Sequence, residues 1–510
     1  MLGFKFFNAA AVVFVYSVCS VTAKYDQQSC CEVANITRFF PEPMPQGAVC
    51  GQQYNASIPP APDLRVSWEF CNSHCHGIGL SRASLPGQWA APIVQFILPA
   101  VIFSMSIPRR KKFEAKFRVY DWGSKKRCQW FFGPLRWSFS VLVSLWVLVP
   151  LTVDTVLWIV IITVGAAHMI VAGLHEVILD HKLLAYLEEM DTPKTTERTK
   201  LLVTVISGNL IQDSSEPQIK IPDRLMSARK EERKAGLLAM MTTQSDFGSA
   251  IGAPVLFYLG AFVYTILDLL NNPSNQDAAI SLAFGVDDSY ETYKPVSMWN
   301  RGKNKMDWIK NIQNDASFRS GSKFEKNVKV GWKGWVLIFW MTFILIALPP
   351  VAGAVVAWQT PPVGPGCRSL SFILYAASQL ALTFISILRS ACYSSKMPRR
   401  SCAQAWDWPS FLLSILFFFI SLLALVGGTL MQIVGVLRNC FCYINAQYWL
   451  DLKSSPGISV ASDTQGQRAS SHSWIIMGGV ATAFMAVTCY LAWWYHGIVR
   501  KRFIHEVSKT

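Results

Sequence analysis

Charge is scarce in this chain. Of its 510 residues only 15% are Asp, Glu, Lys or Arg, against roughly a quarter in soluble domains. Acids are scarcer than bases, 32 against 47, which leaves a formal charge of +15. Low charge with 52% hydrophobic residues excludes a disordered chain, which needs low hydrophobicity. The basic excess does not point to nucleic acid, because the apolar residues are gathered into long uncharged runs rather than soluble-domain periodicity. No Gly-x-x-x-x-Gly-Lys-Ser/Thr loop is present, which argues against an ATP-driven pump. There is no Gly-x-Ser-x-Gly elbow, and the repeated histidine boxes of iron-dependent membrane enzymes are missing. No internal repeat and no low-complexity tail is found.

What is there in abundance is apolar sequence. Runs long enough to span a ~30 Å hydrocarbon core occupy about 89–107, 248–270, 334–358, 370–388, 410–437 and 474–496. A further apolar stretch at 137–174, broken by Pro150 and Asp154, is too long for one span and fits two joined by a tight turn. The expected fold class is all-α: a polytopic helical membrane bundle with a small disulfide-stabilised N-terminal extracytoplasmic cap.

The cap is read from residues 1–88. Lys5, the apolar stretch Ala9 to Ser20 and the small residues of Val21-Thr22-Ala23 read as a signal peptide over 1–23; an uncleaved first helix is the alternative. Residues 24–88 then carry Cys30, Cys31, Cys50, Cys71 and Cys75, with glycosylation sequons at Asn35 and Asn55. Thiols on the lumenal or extracellular side should be oxidised, and Pro-rich stretches there predict a loop-rich cap. Cys71-Asn72-Ser73-His74-Cys75-His76 also has metal-ligand residue types, but structural zinc sites need two separated ligand pairs. Disulfides are therefore expected and no metal.

Positive charge fixes the sides. Residues 108–136 hold ten Lys/Arg against two acids, whereas 24–88 hold four against five. Residues 389–409 (Arg389, Lys396, Arg399, Arg400) and the tail 497–510 (Arg500-Lys501-Arg502) are basic as well. The positive-inside rule puts all three basic segments in the cytoplasm, where they would meet anionic lipid heads. The sparsely charged loops 359–369 and 438–473 then face the lumen with Cys367, Cys440 and Cys442, making eight lumenal cysteines whose pairing is open. Two spans in 137–174 would bring the crossings to eight, an even number that conflicts with a cytoplasmic tail. Seven or nine would not, and the side of loop 271–333 depends on the answer. Loop 175–247, with 10 basic and 12 acidic residues, is expected in the cytoplasm. Helices are expected over 175–190 and 222–242, with Val177, Ile178, Leu183, Leu184 and Leu187 along one face.

Several segments resemble a group of uncharacterised polytopic membrane proteins of filamentous fungi. They are Gly173-Leu174-His175-Glu176, Gln244-Ser245-Asp246-Phe247-Gly248, Gly252-Ala253-Pro254-Val255, Asp277 to Gly285 and Tyr293 to Trp299. The resemblance implies a further apolar segment after Leu282-Ala283-Phe284-Gly285, where this chain turns polar at Asp287. It implies no activity.

Chemistry-bearing candidates are few. Asp154 and Asp268 lie in apolar runs, where a charge is costly and often functional, though both sit near span ends. His168, His175, Glu176, Asp180 and His181 cluster at a membrane boundary and could relay protons or hold a metal. A structural role is the competing reading. Asp287-Asp288 resembles half of a magnesium–diphosphate site, without a second acidic motif. No catalytic, metal or cofactor-binding residue is assigned from these. The expected function is a non-enzymatic multi-pass protein in transport or sensing, in the secretory pathway with the plasma membrane favoured. The alternative is a membrane-embedded enzyme using the 168–181 cluster.

Overall fold

The computed structural model describes residues 24–25, 27–37, 39, 50, 59–77, 153, 156–162, 164–190, 195–207, 229–242, 301–313, 324, 327–358, 365–394, 401–428, 440, 457–461 and 464–510. The expected signal peptide, the apolar runs 89–107 and 248–270, Asn55, Asp154, Asp268 and Cys442 lie outside them. In chain order the elements are β1 (Lys24–Tyr25), α1 (Gln27–Ile36), β2 (Arg65–Val66), α2 (Trp68–His74), β3 (His76–Gly77), α3 (Ala166–Glu189), α4 (Thr195–Ser207), α5 (Lys230–Thr242), α6 (Arg301–Gln313), α7 (Trp332–Thr342), α8 (Leu348–Trp358), α9 (Pro365–Ser394), α10 (Ser401–Leu422), β4 (Ile458–Ser459) and α11 (Gln465–Ser508). The chain divides into two units: 1–98 with 255–282 and 331–498, and 99–254 with 283–330 and 499–510.

The first unit contains the cap and four apolar helices. Two short antiparallel pairs, β1 with β3 and β2 with β4, frame the cap. Ser67 caps α2, its hydroxyl accepting from the Phe70 N–H, which satisfies a donor the helix start leaves orphaned. Three disulfides are formed: Cys30–Cys75, Cys31–Cys50 and Cys71–Cys440. Around them Ala34, Leu64, Val66, Phe70, Ile458, Val460 and Ala461 make one small core. Of the Pro-rich stretches, residues 41–45 lie outside the described residues and 59–62 form no helix; the bridges hold two helices, α1 and α2. A region of this size buries little apolar surface, so covalent ties take over part of its stabilisation.

Among the described residues, four helices are long and apolar enough to cross a membrane: Trp332–Trp358, Ser369–Cys392, Trp408–Gly427 and Ile475–Ser508. They match the expected runs at 334–358, 370–388, 410–437 and 474–496. Val156–Ile162 and Ala166–Glu189 together form a bent fifth candidate. The bend falls at Gly165, where a Cβ would meet the Ile161 carbonyl oxygen at 2.6 Å; only glycine fits that approach. Pro349 and Pro350 lie at the start of α8. They offer no N–H to carbonyls one turn earlier, and the segment Phe343–Ala347 between α7 and α8 widens into a π turn. A second π turn, Leu423–Gly427, follows α10.

These helices are inside out relative to a soluble bundle. Ile373, Phe384, Phe411, Leu412 and Leu416 are exposed, while Thr342, Ser378, Gln379, Thr383 and Ser421 are buried. The Gln379 amide donates to the Ser421 hydroxyl across α9 and α10 at 2.7 Å. At Gly428 a Cβ would meet the Ser371 hydroxyl at 2.7 Å. Small and polar residues at helix contacts, with large apolar ones outward, are what packing in lipid requires.

The second unit is a helical assembly of α3–α6, residues 324–330 and the end of α11. Its core takes Leu179, Leu183, Leu184 and Leu187 from α3, Leu201 and Leu202 from α4, Leu237 from α5, Met306, Ile309 and Ile312 from α6, then Phe324, Val328, Phe503 and Val507. Of the face expected on α3, the three leucines are buried but Val177 is exposed and Ile178 half-buried. Residues 174 and 175, expected to divide a span from a cytoplasmic helix, fall within one continuous helix. The helix expected over 222–242 is present as α5, from 230. The tail 497–510 is also different from expectation: it is the last part of α11. Phe503, Glu506, Val507 and Thr510 are buried, the three- and four-residue spacing of one helix face.

Candidate functional site

The densest chemistry among the described residues lies in the helical unit, where α3 meets α6. Four-residue spacing puts Glu176 and Asp180 on one face of α3. The same spacing puts Arg301 and Lys305 on one face of α6. Two acids thus oppose two bases. The Lys305 ammonium lies 2.7 Å from Asp180 Oδ1 and 3.9 Å from Glu176 Oε1. Arg301 lies 3.8 Å from Glu176 Oε2. Lys305 also donates to the carbonyls of Thr204 at 3.0 Å and Val205 at 2.8 Å. These belong to the last turn of α4, whose carbonyls have no helical partner and favour a cation.

Lys305 has no solvent exposure at all. A lysine this deep is tolerated only when its charge is matched and its donors are used, and here both conditions are met. Burial pushes the Asp180 carboxyl up to about 7. The Lys305 charge opposes that shift, the Glu176 charge adds to it, and a hydrogen bond from Lys305 and the Arg301 charge oppose it further. His175 lies past the apolar stretch, buried between α3 and α6, and burial pulls its imidazole down to about 4. It is neutral at physiological pH. Gly302 makes this approach of helices possible: a Cβ there would meet His175 Nδ1 at 2.3 Å.

A second ionic contact fixes α11 in the same unit. Glu506 is buried, with Arg198 of α4 at 3.7 Å and Lys509 bonded to it. Arg198 also donates to the Lys509 carbonyl at 3.3 Å, and Arg502 stands 3.9 Å from Glu188 of α3.

Of the residues singled out from sequence, His175, Glu176 and Asp180 are brought together, while His168, about two turns before His175, is half-buried and His181, next to Asp180, is exposed. The partners Arg301, Gly302 and Lys305 were not anticipated. Nor were Arg198, Glu506, Gln379 and Ser421. The signal for Arg301 and Lys305 is their four-residue spacing, the complement of Glu176 and Asp180. In the cap, Cys30, Cys31, Cys50, Cys71, Cys75 and Cys440 are paired. The Sγ atoms of Cys30, Cys71 and Cys75 all lie within 4.8 Å of one another, but two disulfides take them up, which leaves no thiolate for a metal. Cys367 lies on α9. Asn35 is exposed at the end of α1, as a glycan acceptor must be.

Comparison of the chain with known family models, with curated proteins and with solved structures returns no match.

Proposed function

We propose that this protein is a multi-pass membrane sensor of the cell surface or secretory pathway, in which α11 transmits the state of the disulfide-tied cap to the cytoplasmic helical unit. One observation carries the reading. α11 begins at Gln465, directly after the segment Ile458–Thr464 that is paired to the cap, and its last turns are built into the core of the helical unit through Phe503, Glu506 and Val507. A change at the cap therefore has a covalent and helical route to the cytoplasm. The candidate cluster supports sensing over catalysis, because both carboxylates are already met by cations.

This reading goes with an odd number of crossings. Residues 175–207, 301–313 and 499–510 belong to one unit, and on this reading they lie outside the bilayer on one side of the membrane. The four apolar helices that begin after residue 331 return the chain to that side. With a lumenal cap and a cytoplasmic tail the total is odd, seven or nine, and loop 271–333 ends in the cytoplasm. Trp332, Trp408, Trp493 and Trp494 are exposed at the cytoplasmic ends of three of these helices, where interfacial aromatics belong. The basic residues at 389–409 and 500–502 fall on the same side, against anionic lipid heads. Glycans at Asn35 and Asn55 belong to the opposite one.

The test is hydrogen exchange on the full-length protein in lipid nanodiscs. Asp63→Ala removes the carboxylate that accepts from Ser459 and pairs with Arg65. The expected result is altered protection in α4 and α6, and loss of that response when Gly497→Pro breaks α11. Unaltered protection in both helices would overturn the reading. Transport is the second reading, favoured by the buried Gln379–Ser421 contact and the two π turns; solute flux into proteoliposomes, lost in Gln379→Leu, would establish it.

A further inference from the structure

The cap holds two disulfides side by side. Cys30–Cys75 joins α1 to the end of α2, and Cys71–Cys440 joins α2 to the segment that leads towards α11, a sequence separation of 369. Cys71 Sγ lies within 4.8 Å of both sulfurs of the neighbouring bridge. Cys30, Cys71 and Cys75 are buried, while Cys440 is partly exposed. Of these two neighbouring bridges an incoming thiolate therefore reaches Cys71–Cys440 first, at Cys440, and attack there releases Cys71 beside an intact disulfide. The Cys31–Cys50 bridge has no part in this sulfur cluster.

We propose that Cys440 is a site of thiol modification and that Cys71 and the Cys30–Cys75 bridge form an internal exchange pair that traps the released cap. In the first step a low-molecular-weight thiolate attacks Cys440 Sγ. A mixed disulfide forms there, the Cys71–Cys440 bond breaks, and Cys71 leaves as thiolate. In the second step Cys71 attacks Cys30 Sγ. The Cys30–Cys71 bond forms, the Cys30–Cys75 bond breaks, and Cys75 takes up the proton the incoming thiol lost. Two disulfides are consumed and two are made, so no electron acceptor is needed. The product is a cap closed on itself and no longer covalently tied to the segment before α11. Its significance as an input to α11 rests on the sensing reading above; the chemistry does not.

The experiment uses the full-length protein in nanodiscs, equilibrated with a reduced and oxidised glutathione buffer, quenched with an alkylating agent and mapped by tandem mass spectrometry. Fragmentation tells Cys71 from Cys75 within their shared peptide. The expected result is glutathione on Cys440 together with alkyl label on Cys75. Cys440→Ser should show the same label on Cys75 without added thiol, and Cys50→Ser should leave Cys30–Cys75 intact. Label confined to Cys71 with Cys75 blocked would overturn the exchange. So would opening of all three bridges at one thiol concentration. If exchange occurs and protection in α4 and α6 does not respond, the sensing reading fails and the exchange stands.

Discussion

The cap and the helical unit meet the same difficulty with opposite chemistry. Each must join segments far apart in sequence: Cys71 to Cys440 in the cap, Glu176 and Asp180 to Arg301 and Lys305 in the helical unit. The cap uses covalent bonds and a small apolar core. The helical unit uses ion pairs enclosed by leucines. A disulfide is stable where thiols are oxidised, and a buried ion pair is stable where pH holds both charges. Each tie is therefore strong in one environment and labile in another, the first to reductant and the second to a change of pH. The comparison can be broken by removing one member of each tie.

The largest effect is expected at Lys305. Lys305→Met leaves Glu176 and Asp180 without their buried cation and two α4 carbonyls without a donor. Breaking a buried pair from one side costs roughly 3–5 kcal/mol. Protection of α3, α4 and α6 against hydrogen exchange should collapse while the cap stays protected. Adding Asp180→Asn to Lys305→Met should restore part of the loss, because an uncompensated charge is removed. If the cap loses protection equally, the two regions are not independent.

Next in size is the covalent tie. Cys71→Ser with Cys440→Ser opens the longest bridge, and loss of a native disulfide in a small extracellular region typically costs about 2–5 kcal/mol. The cap should become sensitive to proteolysis, and protection in α4 and α6 should alter while α3–α6 stay folded. Gly302→Ala should follow, at about 1–3 kcal/mol for an overpacked helix contact. Its methyl would have to displace the His175 ring, and the loss should show in the helical unit alone.

The two regions also differ in how far sequence discloses them. The apolar helices were legible because one property, hydrophobicity over about 20 residues, determines them, and their starts at 332, 369, 408 and 475 fall within two residues of the expected 334, 370, 410 and 474. Cysteine at six bridge positions was legible for the same kind of reason. The pairing was not, since a contact across 369 positions leaves no local trace. Lys305 shows the limit most clearly. In a polar helix it reads as one solvated charge among several, and it becomes the most buried cation among the described residues only because α6 faces α3. The end of α11 was read by the charges of Arg500-Lys501-Arg502, which outweighed a single turn of periodicity at Phe503, Glu506, Val507 and Thr510.

The smallest expected effect is the response of the intact helical unit to pH, because two groups oppose each other. Asp180 titrates at about 7 in the folded protein, above its ordinary value of 3.8. Its contribution to stability is full below pH 4 and is lost as pH rises through 7. His175 titrates at about 4, below its ordinary 6.5. Its contribution is full above pH 6.5 and is lost as pH falls through 4. Between pH 4 and 6.5 the first slope is downward with rising pH and the second upward, so the wild-type unit should be nearly flat there. Single variants separate them. Asp180→Asn should leave a stability that rises with pH from 4 to 6.5, and His175→Gln one that falls from 4 to 7. Both are read as hydrogen-exchange midpoints of α3 across a pH series corrected for intrinsic rates. Parallel slopes in the two variants would mean that neither group carries the pH dependence, and the helical unit would then lack the proton sensitivity that sets it apart from the cap.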